Sequence, residues 1–198
     1  MPPKSELSKE LILAAAFAIV QEEGLDAVTA RSIAGRLKCS TQPIYSLYEN
    51  MDALKEALYG VAIDETLNRI KSYEDANNSS AMNLTNGILL LAHNEKNLFK
   101  MVFLTEQKNY YLKANRNKLR EELMTALVQV DERLLGLDSR TIEQLFLKLS
   151  IYIVGIGTMI NINTFQLDIG EAERMVIEMF DLLLAKEGIL NKPESTEE

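Results

Sequence analysis

Apolar residues recur at intervals of three and four almost everywhere along the chain, and no stretch alternates apolar with polar positions over a strand's length. That periodicity predicts amphipathic helices and an all-α fold. The first helix is the clearest. Ile12, Ala15, Ala16, Ile19 and Val20 share one face, Ser8 offers an N-cap, and Gly24 stands where a left-handed residue closes a helix. After Leu25–Val28, Thr29 caps a second helix over Ala30–Lys38, with Ile33, Ala34 and Leu37 on one side. Ser40 offers the next cap. Pro43 falls in the first turn of a short third helix, where its missing N–H costs nothing, and Ile44, Leu47 and Tyr48 continue that helix. A fourth helix starts at Asn50 or Met51 and keeps its spacing through Leu54, Leu58, Val61, Ala62, Leu67 and Ile70. The polar stretch Glu74–Ser80 reads as a loop. Further helices are predicted near 81–94, 96–106, 108–135, 140–164 and 170–187, broken at Asp138-Ser139 and Asp168–Gly170, with a polar tail over 191–198. The pattern gives about nine helices: an N-terminal three-helix domain over 1–50 and a C-terminal helical bundle over 51–198.

The second and third helices, joined by a tight turn through Ser-Thr-Gln-Pro, have the local pattern of a helix-turn-helix. Such a pair needs a small residue where the helices cross, and Ala34 supplies it. Cys39 and Ile44 are the apolar residues that lock the angle. The outer face of the third helix keeps Thr41, Gln42, Pro43, Tyr45 and Ser46: short polar and methyl-bearing groups, and a phenol long enough to reach a phosphate. A helical corner in an all-α core is the alternative for this segment.

Residues 12–54, with Ala15-Ala16, Gly24, Thr29, Ile33-Ala34, Ser40, Ile44-Tyr45, Tyr48 and Leu54, resemble the DNA-binding region of the tetracycline-repressor (TetR) family. The spacing from Gly24 through Thr29 and Ile33-Ala34 to Tyr45 follows that family without a gap. The resemblance implies that Thr29 and Arg31 touch the DNA backbone and on occasion a base. It makes Thr41, Gln42 and Pro43 the base-reading turn, with Ser40, Ser46 and Tyr48 beside them, and Tyr45 a phosphate contact. Two positions depart from the family. Lys38 stands where glycine is usual, placing a non-glycine residue at positive φ at a cost of ~1 kcal/mol. Met51 replaces a phosphate-contacting lysine, leaving the backbone N–H groups at that helix start to face a phosphate.

Charge changes the picture only locally. The 198-residue chain carries a net charge of -8, which excludes a uniformly basic nucleic-acid coat. Residues 28–48 nevertheless hold three basic side chains, Arg31, Arg36 and Lys38, and no acidic one. That is a modest footprint, which a dimer doubles, and it predicts specific, salt-sensitive binding with a shallow salt dependence. The single cysteine excludes an intramolecular disulfide and favours a reducing compartment. The longest apolar runs, Leu11–Val20 and Leu149–Ile160, fall short of the ~20 residues of a membrane span. Glu6 and Glu10 stand where a signal peptide would be basic. A cytoplasmic protein with no membrane partner is expected.

The C-terminal bundle carries more apolar surface than one chain can bury. Helix 140–164 is apolar nearly all round, with a small and polar stripe of Ser150, Val154, Gly157, Thr158 and Asn161, and the last helix has a broad apolar face. In TetR-like proteins two such helices meet their symmetry mates. The resemblance therefore implies a homodimer through the last two helices, binding a double-stranded, palindromic DNA operator. It also implies a small-molecule effector of unknown identity between the middle helices. Candidate lining residues are Met82, Leu89, His93, Phe99, Phe103, Tyr111, Met124, Phe146, Tyr152, Met159 and Asn161. Most Met and Phe at helical spacing are simply core, and about a third of these are expected to line a cavity. Asn161 and Asn163 need partners, with a ligand, the dimer mate and the chain's own turn as alternatives. The five basic residues of Lys108–Arg120 read as a solvated helix face, with attraction of an anionic effector as the alternative.

Catalytic constellations are missing from the sequence. His93 has no second histidine or cysteine nearby for zinc, and there is no glycine-rich phosphate loop, GxSxG or HExxH. No metal, cofactor or catalytic residue is expected. The sequence reads as a ligand-responsive transcriptional regulator, a repressor in preference to an activator. The alternatives are a helical protein-interaction adaptor and an all-α enzyme.

Overall fold

The structure is a computed structural model and describes residues 7–105, 110–164 and 167–189, with side chains throughout except at 110–114. Among the described residues it is all-α, with nine α-helices and no strand. They are α1 (Lys9–Glu23), α2 (Ala30–Leu37), α3 (Gln42–Leu47), α4 (Met51–Ser72), α5 (Ser80–Asn94), α6 (Lys96–Phe99), α7 (Tyr110–Val130), α8 (Ser139–Ile162) and α9 (Ile169–Lys186).

The helix ends follow local chemistry. The Ser8 hydroxyl accepts the Leu11 N–H, the Asp138 carboxylate those of Arg140 and Thr141, and the Asp168 carboxylate that of Glu171. Gly24 closes α1 at φ 91°. Ser40 does not cap α3. The N-cap is Thr41, without a side-chain bond: Pro43 at the second position has no N–H, and the next one, of Ile44, goes to the Thr41 carbonyl at 3.2 Å. The helix expected near 96–106 is the four-residue α6 followed by a π turn over Lys100–Leu104, and residue 106 lies outside the described residues. The helix expected to run to 135 ends at Val130, its first two positions lying outside the described residues. There Asp131 turns extended and its buried carboxylate takes the Arg133 N–H at 3.1 Å and the Arg133 guanidinium at 2.8–2.9 Å. Those charge-assisted bonds outcompete one more helical turn. The tail over 191–198 lies outside the described residues.

Packing divides the chain into two compact units: Met1–Arg69 with Asn94–Arg120, and Ile70–His93 with Glu121–Glu198. These are cut differently from a division of roles at residue 50, because α6 packs against α1. In the first unit Ile12, Ala16 and Ile19 of α1, Ile33 and Ala34 of α2, Ile44 of α3, and Leu98 and Phe99 of α6 are buried. The Asn97 amide donates to the Gln21 carbonyl at 3.1 Å, and the Tyr59 hydroxyl to the Val102 carbonyl at 3.1 Å.

The second unit has its core where α8 packs on α9: Leu145, Leu149, Ile153, Ile156 and Ile160 against Ala172, Val176, Phe180 and Leu184. At Gly87 of α5 a Cβ would stand 2.7 Å from the Ile70 carbonyl oxygen, so only glycine lets α5 lie this close to the end of α4. The Asn86 amide donates to the Glu173 carboxylate at 3.0 Å. Helix α8 is long and apolar enough, by length and composition, to cross a membrane, contrary to the expectation from its shorter uninterrupted run. Part of that apolar character builds the core, where Leu145, Leu149, Ile153, Ile156 and Ile160 pack inward at helical spacing, while Leu147, Ile151 and Ile162 stay exposed.

Candidate nucleic-acid interface

The turn between α2 and α3 sets the site. Thr29 and Ser32 form a reciprocal capping box, each side-chain oxygen taking the other's backbone N–H at 3.0 Å, and the Ser32 hydroxyl also donates to the Ala27 carbonyl at 2.7 Å. At its far end α2 closes on Lys38, at φ 52° and ψ 44°. The Cys39 N–H reaches the Ala34 carbonyl at 3.0 Å and the Lys38 N–H the Gly35 carbonyl at 3.2 Å. This is a Schellman closure with lysine where glycine is favoured, so the positive φ expected at Lys38 is present. Cys39 is half-buried in the turn, and Ile44 is fully buried beneath α3.

With Ile44 inward, Ser40, Thr41, Gln42, Tyr45 and Ser46 are exposed, and Pro43 is half-buried. Tyr45 is 51% exposed, a large aromatic surface to leave in water. The Ser46 hydroxyl is turned back onto the Gln42 carbonyl at 3.0 Å. Thr29 and Arg31 are exposed at the start of α2. Eight of the nine residues named for this role thus lie at or partly at the surface of one helix pair.

Tyr48 does not. It is 7% exposed, and its ring lies beneath the Lys9 ammonium, 5.4 Å from the centroid. Ile44 points inward and Leu47 is half-buried, but Tyr48 does not continue the helix as expected: it is the C-cap of α3, extended at φ -126° and ψ 126°. The role beside the reading turn is withdrawn from Tyr48. Its contact with Lys9 links the start of α1 to the end of α3, a pairing that nothing local in the sequence signals.

Of the three basic side chains between residues 28 and 48, Arg36 is paired with Glu22. Arg31 and Lys38 are exposed with no ion pair among the described residues. The free charge here is smaller than the composition of the segment suggests. At the start of α4 the Asn50 side-chain oxygen accepts the Ala53 N–H at 2.8 Å, so one N–H of the group expected to face a phosphate is already taken.

The candidate effector residues fall in both units. Phe99, fully buried, and Phe103 stack in the first, with ring centroids 4.9 Å apart. Met82, Leu89, Met124, Phe146, Tyr152 and Asn161 belong to the second, where Leu89 is core and Phe146 and Tyr152 pack half-buried against it. His93 is exposed, as is Met159 at 42%, so neither lines an enclosed cavity. The Tyr111 side chain lies outside the described residues. Asn161 donates its amide to the Ala92 carbonyl of α5 at 3.1 Å, a partner on another helix that none of the three alternatives named. Asn163 is the left-handed residue that closes α8, at φ 52°. In the basic run, Lys118 pairs with Asp64 and Arg116 donates to the Thr105 carbonyl, while Lys108 lies outside the described residues. No cluster of metal-ligating side chains occurs among the described residues.

The chain is similar in fold to solved regulators. A transcriptional regulator from Rhodococcus sp. Rha1 superposes with a TM-score of 0.71 at 17% identity, over 91% of this chain and 97% of that one. A TetR-like transcriptional regulator from Rhodococcus sp. RHA1 gives 0.65 at 13% identity, over 93% and 98%. A member of the TetR family from Streptomyces coelicolor A3 gives 0.64 at 14%, over 86% and 96%. No protein-family model and no curated protein sequence matches the chain. The fold is that of TetR-family transcriptional regulators, present over nearly the full length of these relatives.

Proposed function

We propose that this chain is a cytoplasmic, ligand-responsive transcriptional regulator, a repressor, that binds a palindromic DNA operator as a homodimer. The observation that carries the reading is the surface of α3: Thr41, Gln42 and Tyr45 exposed on a helix whose Ile44 is fully buried, entered through a Schellman turn. Such a face offers amide and hydroxyl groups to base edges and a phenol to the phosphate backbone. On this reading residues 1–50 bind DNA, and residues 51–198 dimerise and hold an unidentified effector. The protein acts by binding rather than by catalysis.

The dimer reading is supported by α8 and α9. Leu147, Ile151 and Ile162 are 59%, 66% and 56% exposed on α8, and Leu182 is 66% exposed on α9. A soluble monomer rarely leaves so many large apolar side chains in water along two neighbouring helices. Covering them with the same surface of a second copy gives a closed, two-fold interface and two reading heads. An effector acts on this assembly only through different affinities for its DNA-binding and non-binding arrangements.

The test is selection of binding sites from random duplex DNA by the purified protein at two salt concentrations. The reading expects a palindrome whose half-sites lie about one helical turn apart, ~34–36 Å, with affinity falling at higher salt. Enrichment of no site, before and after refolding to strip bound ligand, overturns it in favour of a protein-interaction adaptor.

A further inference from the structure

The start of α1, the end of α3, the first half of α4 and Asn115 of α7 line an open cleft of about 580 Å³, within the range of small-molecule sites. None of Thr41, Gln42 and Tyr45 lines it, so it is distinct from the proposed reading face. All of its residues belong to the first packing unit.

Its polar lining has an uneven composition. Glu49 and Glu56 supply two carboxylates, and neither has an ion-pair partner among the described residues, although Glu56 is half-buried. Tyr48 is more than nine-tenths buried, and its hydroxyl makes no hydrogen bond among the described residues. Burial, with the charge of Glu10, pushes the phenol above its ordinary range, so it stays a hydrogen-bond donor at neutral pH. The hydroxyl is not among the fully enclosed unpaired polar atoms, so it stays open to the cleft and to an acceptor there. The face of the same ring already receives a cation, the Lys9 ammonium at 5.4 Å. Ala57 and Gly60 on α4 keep the floor of the cleft low.

We propose that this cleft is a ligand site for small organic cations, which displace the Lys9 ammonium from the Tyr48 ring and pair with Glu49 and Glu56. An oxygen acceptor on the ligand takes the Tyr48 hydroxyl. An aromatic face beside carboxylates favours a weakly hydrated ammonium over a neutral molecule of the same shape, and Lys9 acts as a built-in competitor.

Calorimetric titration of the full chain, without DNA, tests this independently of the regulator reading. The probes are tetramethylammonium, (2-methoxyethyl)trimethylammonium and, as a neutral match, tert-butanol. Both cations are expected to bind below about 10 mM and at least about tenfold more tightly than tert-butanol. The ether-bearing cation should bind more tightly than tetramethylammonium, and Tyr48→Phe should remove that advantage. Glu56→Gln should weaken both cations about tenfold, and Lys9→Ala should tighten them several-fold. Circular dichroism checks each variant's fold; if Glu56→Gln does not fold, Lys9→Ala and the neutral match decide. The proposal is overturned if the cations bind no better than tert-butanol, if neither the wild type nor Lys9→Ala binds them, or if Lys9→Ala weakens them.

Discussion

The turn that presents α3 makes a prediction whose sign changes over three residues. Lys38 holds a left-handed conformation at φ 52°, closing α2 with two backbone hydrogen bonds. An L-residue pays ~1–2 kcal/mol for that conformation, and glycine recovers it, less ~0.4–1 kcal/mol for its looser unfolded chain. Comparing Lys38→Gly with Lys38→Ala removes the lysine charge from both sides of the comparison. Glycine should be more stable by about 0.5–1 kcal/mol. Gly35 lies inside α2, where a Cβ would meet nothing within 4 Å. There alanine should be more stable than glycine by about 0.5–1 kcal/mol, the ordinary helix preference. In a chain of this length, each difference corresponds to roughly 1–4 °C in Tm. Urea and thermal unfolding at one fixed protein concentration, the latter because assembly shifts Tm, measure both pairs. If alanine matches or exceeds glycine at position 38, the Schellman closure is wrong, and with it the angle at which α3 is held.

Gly87→Ala should destabilise by about 1–3 kcal/mol in the same assay, because its Cβ would stand 2.7 and 2.9 Å from backbone atoms of Ile70 that cannot swing aside. Stability unchanged from the wild type would show that α5 is free to move away. Arg133→Ala should cost about 2–3 kcal/mol, since it strips the buried Asp131 carboxylate of its guanidinium partner; a loss below about 0.5 kcal/mol would contradict the pairing. Hydrogen bonds from Thr141 hold the Asp138 carboxyl below its ordinary value. A group depressed on folding stabilises above its unfolded pKa and ceases to as pH falls through the folded one, so stability should decline on acidification below about pH 4. Asp138→Asn should flatten that decline, and an unchanged slope would remove Asp138 from it. Tyr45→Phe should weaken operator binding about fivefold and equally across sequences, whereas sequence-dependent loss would make Tyr45 a base contact.

How much of this was legible in the sequence depended on how local the cause was. Ser8, Thr29, Asp138 and Asp168 act on N–H groups two or three residues away, and each could be read from its neighbours. The inward face of α1 followed from spacing alone. Ser40 misled because Pro43 withdraws the N–H that a cap would bond, a detail of register rather than of composition. The end of α7 was missed because an Asp–Arg fork two residues apart stops the helix without glycine or proline. Tyr48 shows the wider limit. It stands just past α3 as its extended C-cap rather than inside the helix, and the burial of its ring depended on Lys9, 39 positions earlier in the chain. Likewise Arg36 counted as free charge until Glu22 was seen beside it. The effector residues were least legible, because apolar spacing marks core and cavity walls alike.

If the exposed face of α3 reads DNA sequence, selection of binding sites from random duplex DNA by the wild type and Gln42→Ala in parallel will separate the two proteins. The account predicts one palindrome for the wild type. For the variant it predicts the same half-site spacing but relaxed preference at one symmetry-related pair of positions, with a loss of about 1–3 kcal/mol on the wild-type site. The same motif recovered with the same affinity by both proteins would contradict it.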